Sequence, residues 1–284
     1  MTSIETAIPQ DLKAELRRLG GLADDEIDLG EAALTLAALD LPRAMTERYR
    51  HHLSLLARDT AALAARLGAE DDLQARAEAL CQILVGRYGY EGDGNTYDDL
   101  QNANLMRVID RRKGLPVALG ILFLQTARAQ GWTAAAINFP GHFLIRLELH
   151  GERLLLDPFH QGRLCDTRDL RELLKFALGP EVELGPEHYA EIENRQVLLR
   201  LQNNIKVRLL QSEDLERAVA VIEAMLMFAP STPSLWCDLG LAQARLGSLR
   251  AAIVAFDNYL QLGGQDPRRH EVVELLQQLR HKLN

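Results

Sequence analysis

Residues 111–166 constrain the fold more than any other part of the chain. Gly114 and Pro116 mark a helix start there, because proline suits the first helical position, where its missing N–H is not needed. Over 117–129 the residues are apolar almost all round, the pattern of a buried helix, and Gly131 ends it. Residues 133–138 read as a short strand, Pro140-Gly141 as a turn, and His142 as the start of an alternating strand. In that strand Phe143, Ile145, Leu147 and Leu149 share one face, and His142, Leu144, Arg146 and Glu148 share the other. His150-Gly151-Glu152 makes a hairpin turn into a strand over 153–157, which Asp157-Pro158 closes. A helix that is apolar on every side needs cover. The expected core is therefore a small antiparallel sheet of roughly three strands packed on the helix beginning at Pro116.

The surroundings read as helical. Alanine and leucine are abundant and aromatic residues make up only 5% of the chain, which favours helix over sheet. Residues 1–22 form a weakly patterned lead-in with one short helix over 9–19. Apolar residues then recur at helical spacing at Ile27, Leu29, Ala32, Leu34, Leu36 and Leu39. A second helix opens at Pro42 and stops at Gly68. A third is capped by Asp71 or Asp72, carries Leu73, Ala77, Leu80 and Cys81, and ends at Gly86 or Gly89. Residues 90–99 are a loop and 102–112 a short helix. Thr167 caps a helix over 168–178 that Gly179-Pro180 breaks. The domain boundary is expected in a polar connector over 181–196.

Beyond it an internal repeat appears. Leu215, Ala218, Ile222 and Pro230 recur thirty-four positions later as Leu249, Ala252, Phe256 and Gly264, which is the tetratricopeptide period. Trp236, Leu239, Gly240, Ala252 and Phe256 fall on that motif's packing positions in the second unit. The first unit is degenerate, with Gln202 for the Trp and Lys206 for the Gly, and the second ends on Gly264 with Pro267 three residues later. Residues 268–283 read as a capping helix. The fold class is α+β: mostly helical, a small antiparallel sheet on a central helix, then an α-helical repeat tail over 197–284.

Helix, His strand and Asp strand follow in the order of the transglutaminase-like, papain-related core. In that core a Cys sits at the start of a buried helix, a His begins one strand and an Asp ends the next. A helix N-terminus lowers the thiol's pKa, the His forms the ion pair and the Asp orients the imidazole. Tyr97-Asp98, Asn102, 105–109, 112–116, Pro140-Gly141-His142-Phe143 and Asp157-Pro158-Phe159 resemble, more closely, the SirB1 family, whose N-terminal region is transglutaminase-like and whose C-terminal region carries tetratricopeptide repeats. The resemblance places the transglutaminase-like domain at 23–180. It implies His142 and Asp157 as a retained catalytic dyad, with Asn102, Gly114, Pro116, Gly141 and Phe159 around the pocket. The Cys is missing: Gly114, Leu115, Pro116, Val117 and Ala118 stand at the matching helix start.

Other chemistry is thinly represented. A net charge of −8, from 32 basic and 40 acidic residues, argues against sequence-independent nucleic-acid binding. Cys81, Cys165 and Cys237 form neither a metal spacing nor a disulfide framework, which points to a reducing compartment. No signal peptide and no uncharged run of membrane-spanning length is visible, so a cytoplasmic protein without membrane association is expected. The acids around Asp93 fail the calcium-loop spacing, since Asp98 stands where glycine is required. No metal and no cofactor is expected. Cys81 and Cys237 read as core residues, and Cys165 is the thiol nearest to Asp157 in sequence. The basic run Arg107, Arg111, Arg112 and Lys113 reads as a solvated face pairing with Asp98, Asp99 and Asp110. Two function classes remain: a non-catalytic interaction or regulatory module, with a protein partner bound through the repeats or the retained pocket, or a hydrolase or amidase using His142 and Asp157 without the Cys.

Overall fold

The computed structural model describes residues 8–41, 44–263 and 268–283 of the chain. Two compact units divide it, residues 23–201 and residues 202–284 together with 1–22. Helix α1 (Gln10–Gly21) opens the chain and belongs to the second unit.

In the first unit, α2 (Leu29–Ala37) is capped by Asp28, whose carboxylate accepts the Glu31 N–H at 2.9 Å. Helix α3 (Thr46–Leu67) ends on Gly68 in the left-handed region, φ 68°. Its expected start at Pro42 lies outside the described residues. Asp72 caps α4 (Leu73–Cys81), and the chain then widens into a π-type turn in which the Tyr88 N–H reaches the Ile83 carbonyl at 2.9 Å. Two short parallel strands, β1 (Glu91–Gly92) and β2 (Lys113–Gly114), flank α5 (Leu105–Arg111). Helix α6 (Pro116–Arg128) follows directly and buries Val117 through Leu124 without a break. Each fully buried Leu, Ile or Phe contributes about 1.5–3 kcal/mol, so burial on all faces fixes α6 as the centre of this unit.

The sheet is antiparallel, as expected, but holds five strands rather than three. Strands β3 (Thr133–Ile137), β4 (Leu144–Leu149), β5 (Glu152–Asp157) and β6 (Arg163–Leu164) are joined by β7 (Glu191–Ile192) in the order β6-β5-β4-β3-β7. The added strands are two residues long and carry no period-2 signal. Strand β7 lies within residues 181–196. It pairs with β3, and Val182, Leu184 and Tyr189 pack on the cluster of Ile137, Phe139, Leu144, Leu155, Leu170 and Leu174. The β4–β5 hairpin turns on His150 and Gly151, with φ of 50° and 83°, the paired positive values of a type I′ turn. Helix α7 (Thr167–Leu178) is capped by Asp166 rather than by Thr167: its carboxylate accepts from Arg168 and Asp169 N–H groups, both at 2.8 Å.

The second unit begins within α8 (Asn194–Gln211) and continues through α9 (Leu215–Phe228), α10 (Pro233–Arg245), α11 (Leu249–Leu262) and α12 (Arg269–Leu283). Gly240 is required by packing, since a Cβ there would sit 2.5 Å from Phe256 Cδ1. Cys237, Ala252, Phe256 and Tyr259 form its core with α12. Lys206, where the repeat motif has a small residue, is buried and reaches Asp238 at 2.5 Å. Residues 1–22 are more than a lead-in. Leu12, Leu16 and Leu19 of α1 are buried, and α1 lies so close to α9 that a Cβ on Gly20 would come 2.5 Å from the Met227 carbonyl oxygen. The repeat positions Gly264 and Pro267 lie outside the described residues. Among the described residues no helix is long and apolar enough to cross a membrane.

Candidate functional site: a carboxylate between two imidazoles

Two turns build the site. Gly141, φ 74°, lets the chain reverse so that the His142 N–H bonds the Phe139 carbonyl at 3.0 Å. His142 therefore sits in this turn, two residues before β4 begins, and does not open the strand. Phe143 next to it presses on α6 at Gly120, where a Cβ would lie 2.6 Å from Phe143 Cδ1. Arg200 donates to the His142 carbonyl at 3.2 Å and lies over the Phe143 ring.

The second turn follows β5. Asp157 is buried, and its Oδ1 accepts the N–H groups of Phe159 at 3.0 Å and His160 at 3.2 Å. Pro158, which precedes them, has no N–H to offer. Gln161 and Gly162 both take positive φ, and the Gly162 N–H closes back on the Asp157 carbonyl at 2.8 Å. This geometry aims Oδ2 at two rings: His142 Nδ1 lies 3.2 Å away and His160 Nδ1 2.7 Å away. The ring centroids are 5.9 Å apart. Burial alone would raise the Asp157 pKa, but the hydrogen bonds from His142 and His160 outweigh it and hold the carboxyl below its ordinary value. An ionised carboxylate only accepts, so both Nδ1 atoms donate to it. The donor atoms of His142, Asp157 and His160 lie within 4.8 Å of one another, the grouping among the described residues whose chemistry suits a metal ion.

His160 is absent from the sequence reading. A single His in a turn carries no periodicity. The usable signal was its place three residues after an Asp that precedes proline, the spacing at which an Asx turn returns a side chain to its own carboxylate.

Most of the five residues expected around a pocket belong to the scaffold of the site. Phe159 is half-buried over Gly92, where a Cβ would lie 2.5 Å from its ring, and it meets the Tyr97 ring edge-on at 5.9 Å. Gly92 pairs with Gly114, and the Leu115 N–H bonds the Asn102 carbonyl at 2.9 Å, just ahead of Pro116. Asn102 is fully buried and spends its side chain on the scaffold. Its amide donates to the Thr96 carbonyl at 2.6 Å, and its oxygen accepts from Arg111 at 2.7 Å. Gly141 shapes the His142 turn.

The basic run is less solvated than expected. Arg111 binds buried Asp93 at 2.9 Å, and Arg112 reaches Tyr90 and His52 at 2.5 and 2.9 Å, while Asp110 pairs instead with Arg48. These arginines tie loops to α3 and β1. Burial, then the Arg112 charge, lowers the His52 pKa to about 4, so this imidazole is neutral near pH 7.

Both cysteines of this unit are free thiols, half-buried. Cys81 donates to the Gly162 carbonyl at 3.4 Å, and burial pushes it up to about 11. Cys165 lines a cavity of about 700 Å³ with Arg146, Leu155 and Tyr189, and burial, then the Asp157 charge, also pushes it to about 11. Cys237 is fully buried in the other unit.

Residues 47–203 match the transglutaminase-like superfamily, and residues 205–277 match the tetratricopeptide repeat. A UPF0162 protein of Vibrio cholerae is 32% identical over 244 residues, covering 86% of this chain and 89% of that one. Protein SirB1 of Salmonella typhimurium is 28% identical over 206 residues, 72% of this chain and 76% of its own length. The chain belongs to the SirB1 family. A UPF0162 protein of Xylella fastidiosa is 33% identical over 188 residues, 65% of this chain and 66%, just under two thirds, of its own. No solved structure matches. In this SirB1-family domain α6 begins at Pro116-Val117 after Leu115, and the residues gathered on Asp157 are imidazoles.

Proposed function

We propose that this SirB1-family chain is a non-catalytic binding module with a regulatory role, acting in a reducing, cytoplasmic compartment. Its transglutaminase-like domain keeps the imidazole–carboxylate pocket to hold a ligand, and its repeats dock a protein partner. The observation that carries the reading is the thiol inventory. The start of α6 has no cysteine, and burial holds Cys81 and Cys165 protonated, with pKa values near 11. Transglutaminase and papain-type catalysis both need a thiolate activated by an adjacent imidazole. Pro116 at the first helical position also removes an N–H that an oxyanion would use. The repeats present a hollow of about 330 Å³ lined by Glu223, Trp236, Leu239 and Val254, with Val254 exposed, a surface suited to a partner's side chain.

The test compares the wild type, the Cys81→Ser/Cys165→Ser/Cys237→Ser variant and His142→Ala on amine-incorporation and peptide-cleavage substrates, after confirming folding. No activity above the uncatalysed rate is expected from any of them. Wild-type turnover abolished both by a cysteine change and by His142→Ala would overturn the reading. Turnover that survives the loss of all three thiols but needs His142 and Asp157 would establish a hydrolase in its place.

A further inference from the structure

The turn after β5 does an unusual thing with one carboxylate. Asp157 gives Oδ1 wholly to the backbone of its own turn, which leaves Oδ2 fixed in direction and facing two imidazole nitrogens from different segments. Two ring nitrogens and one carboxylate oxygen converge, with the second carboxylate oxygen anchored from behind, as in a set of metal ligands. We propose that His142 Nδ1, Asp157 Oδ2 and His160 Nδ1 form a binding site for one divalent transition-metal ion of the zinc type.

The distances fit. A metal held 2.0–2.1 Å from each donor sets neighbouring donors roughly 2.9–3.4 Å apart, from octahedral to tetrahedral geometry. The His142 separation of 3.2 Å falls in that range and the His160 separation of 2.7 Å lies just below it, with one donor atom from each residue gathered within 4.8 Å. To bind the ion each ring turns its Nδ1 from Oδ2 towards it and carries its remaining proton on Nε2. The support behind the donors is also present. Carboxylates that ligate metals are themselves held by outer hydrogen bonds, and here the Phe159 and His160 N–H groups supply them. On the other arm, the Arg200 bond to the His142 carbonyl and the Phe143–Gly120 contact fix the turn that carries the first imidazole.

The donor set selects the ion. Two imidazoles with one carboxylate suit zinc and its neighbours, whereas calcium and magnesium call for oxygen shells. Neither Cys81 nor Cys165 joins the cluster, so the site is a nitrogen–oxygen one. An entry path exists, because the His160 side chain is 55% exposed while Asp157 is buried. Three protein donors leave at least one coordination position for water or for an outside group. One carboxylate against a doubly charged ion leaves a net positive centre, so a carboxylate or similar anion is the class of ligand that would complete it.

This inference rests on the pocket-holds-a-ligand part of the proposed function and names that ligand. It does not depend on the absence of catalysis. The experiment is calorimetric titration of the untagged, chelator-stripped full chain with zinc chloride, followed by cobalt(II) absorption. One saturable equivalent at micromolar zinc is expected, with a weak visible cobalt spectrum free of thiolate charge transfer. His160→Ala, exposed and therefore tolerated by the fold, weakens binding about tenfold or more, and His142→Ala and Asp157→Asn do the same. The cysteine-free variant binds as the wild type does, which separates this test from the enzymatic one. Absence of a saturable equivalent in the wild type, binding unchanged in the His142→Ala/His160→Ala variant, or binding lost with the cysteines would each overturn the site.

Discussion

Phe143 fills the space that a side chain on Gly120 would need: a Cβ there would lie 2.6 Å from Phe143 Cδ1. Two opposing effects meet in Gly120→Ala. Helix propensity favours alanine by about 1 kcal/mol, and overpacking a filled core costs about 1–3 kcal/mol. Phe143 is fully buried and cannot swing into solvent, so the clash should win. Urea denaturation is expected to show a net loss of up to about 2 kcal/mol. A variant more stable than the wild type would mean that the ring has room to retreat.

The loop that carries Tyr97 is pinned by Asp93. Hydrogen bonds from the Thr96 hydroxyl at 2.6 Å and N–H at 2.9 Å, with Arg111 at 2.9 Å, outweigh burial and hold the Asp93 carboxyl far below its ordinary value. Its folded pKa is thus lower than its unfolded one of about 3.9. Its contribution to stability is complete above that unfolded value and drains away as pH falls towards the folded one. Asp93→Asn should lower the urea midpoint at pH 7 and flatten the acid limb below about pH 4, so that the two curves converge. Parallel curves would assign the acid sensitivity elsewhere.

Cys81 and Cys165 should behave as inert thiols. With both pushed to about 11, modification by a disulfide reagent is expected to be slow at pH 7.5 and to accelerate with each step towards pH 11. In denaturant all three cysteines should react at once. Rapid labelling of Cys165 in the folded chain at neutral pH would contradict the burial that sets its pKa.

Lys206 offers a test in the repeats. It lies 2.5 Å from Asp238, which Arg268 also approaches at 3.4 Å. Removing one member of a buried pair typically costs about 3–5 kcal/mol, and the remaining Arg268 should soften this to roughly 1–3 kcal/mol for Lys206→Ala. The double change Lys206→Met/Asp238→Leu should cost less than the sum of its parts. Strict additivity in thermal unfolding would show the pair to be unimportant.

The sequence disclosed what had a period. The alternation through Leu144–Leu149 and the thirty-four-residue recurrence repeat often enough to be read, the helix from Pro116 shows as an unbroken apolar run, and each corresponds to an element in the fold. What lacked a period stayed hidden. Strands β6 and β7 are two residues long, and β7 lies in a stretch whose Pro, Gly and Glu content looks like a linker. His160 belongs to the same class: a turn residue placed by a local hydrogen-bond pattern, not by a repeat. Lys206 marks a third limit. A polar residue at a packing position reads as decay of the motif until its partner on α10 is known.

Strand β7 sets an order of events on the ribosome. Ala136 and Ile137 find their outer neighbours only at Ile192 and Glu191, so after β3, β4 and β5 have emerged, one flank of β3 stays open until the chain beyond α7 follows. That flank is a row of unpaired N–H and C=O groups beside Ala136 and Ile137, the kind of template on which another nascent chain can pair. The α7 helix and the segment carrying Val182, Leu184 and Tyr189 are therefore timed as well as placed, since the cluster they complete on Ile137 is what brings β7 home. Stalling or truncation ahead of Glu191 would release a chain with its core helix made and its sheet still sticky.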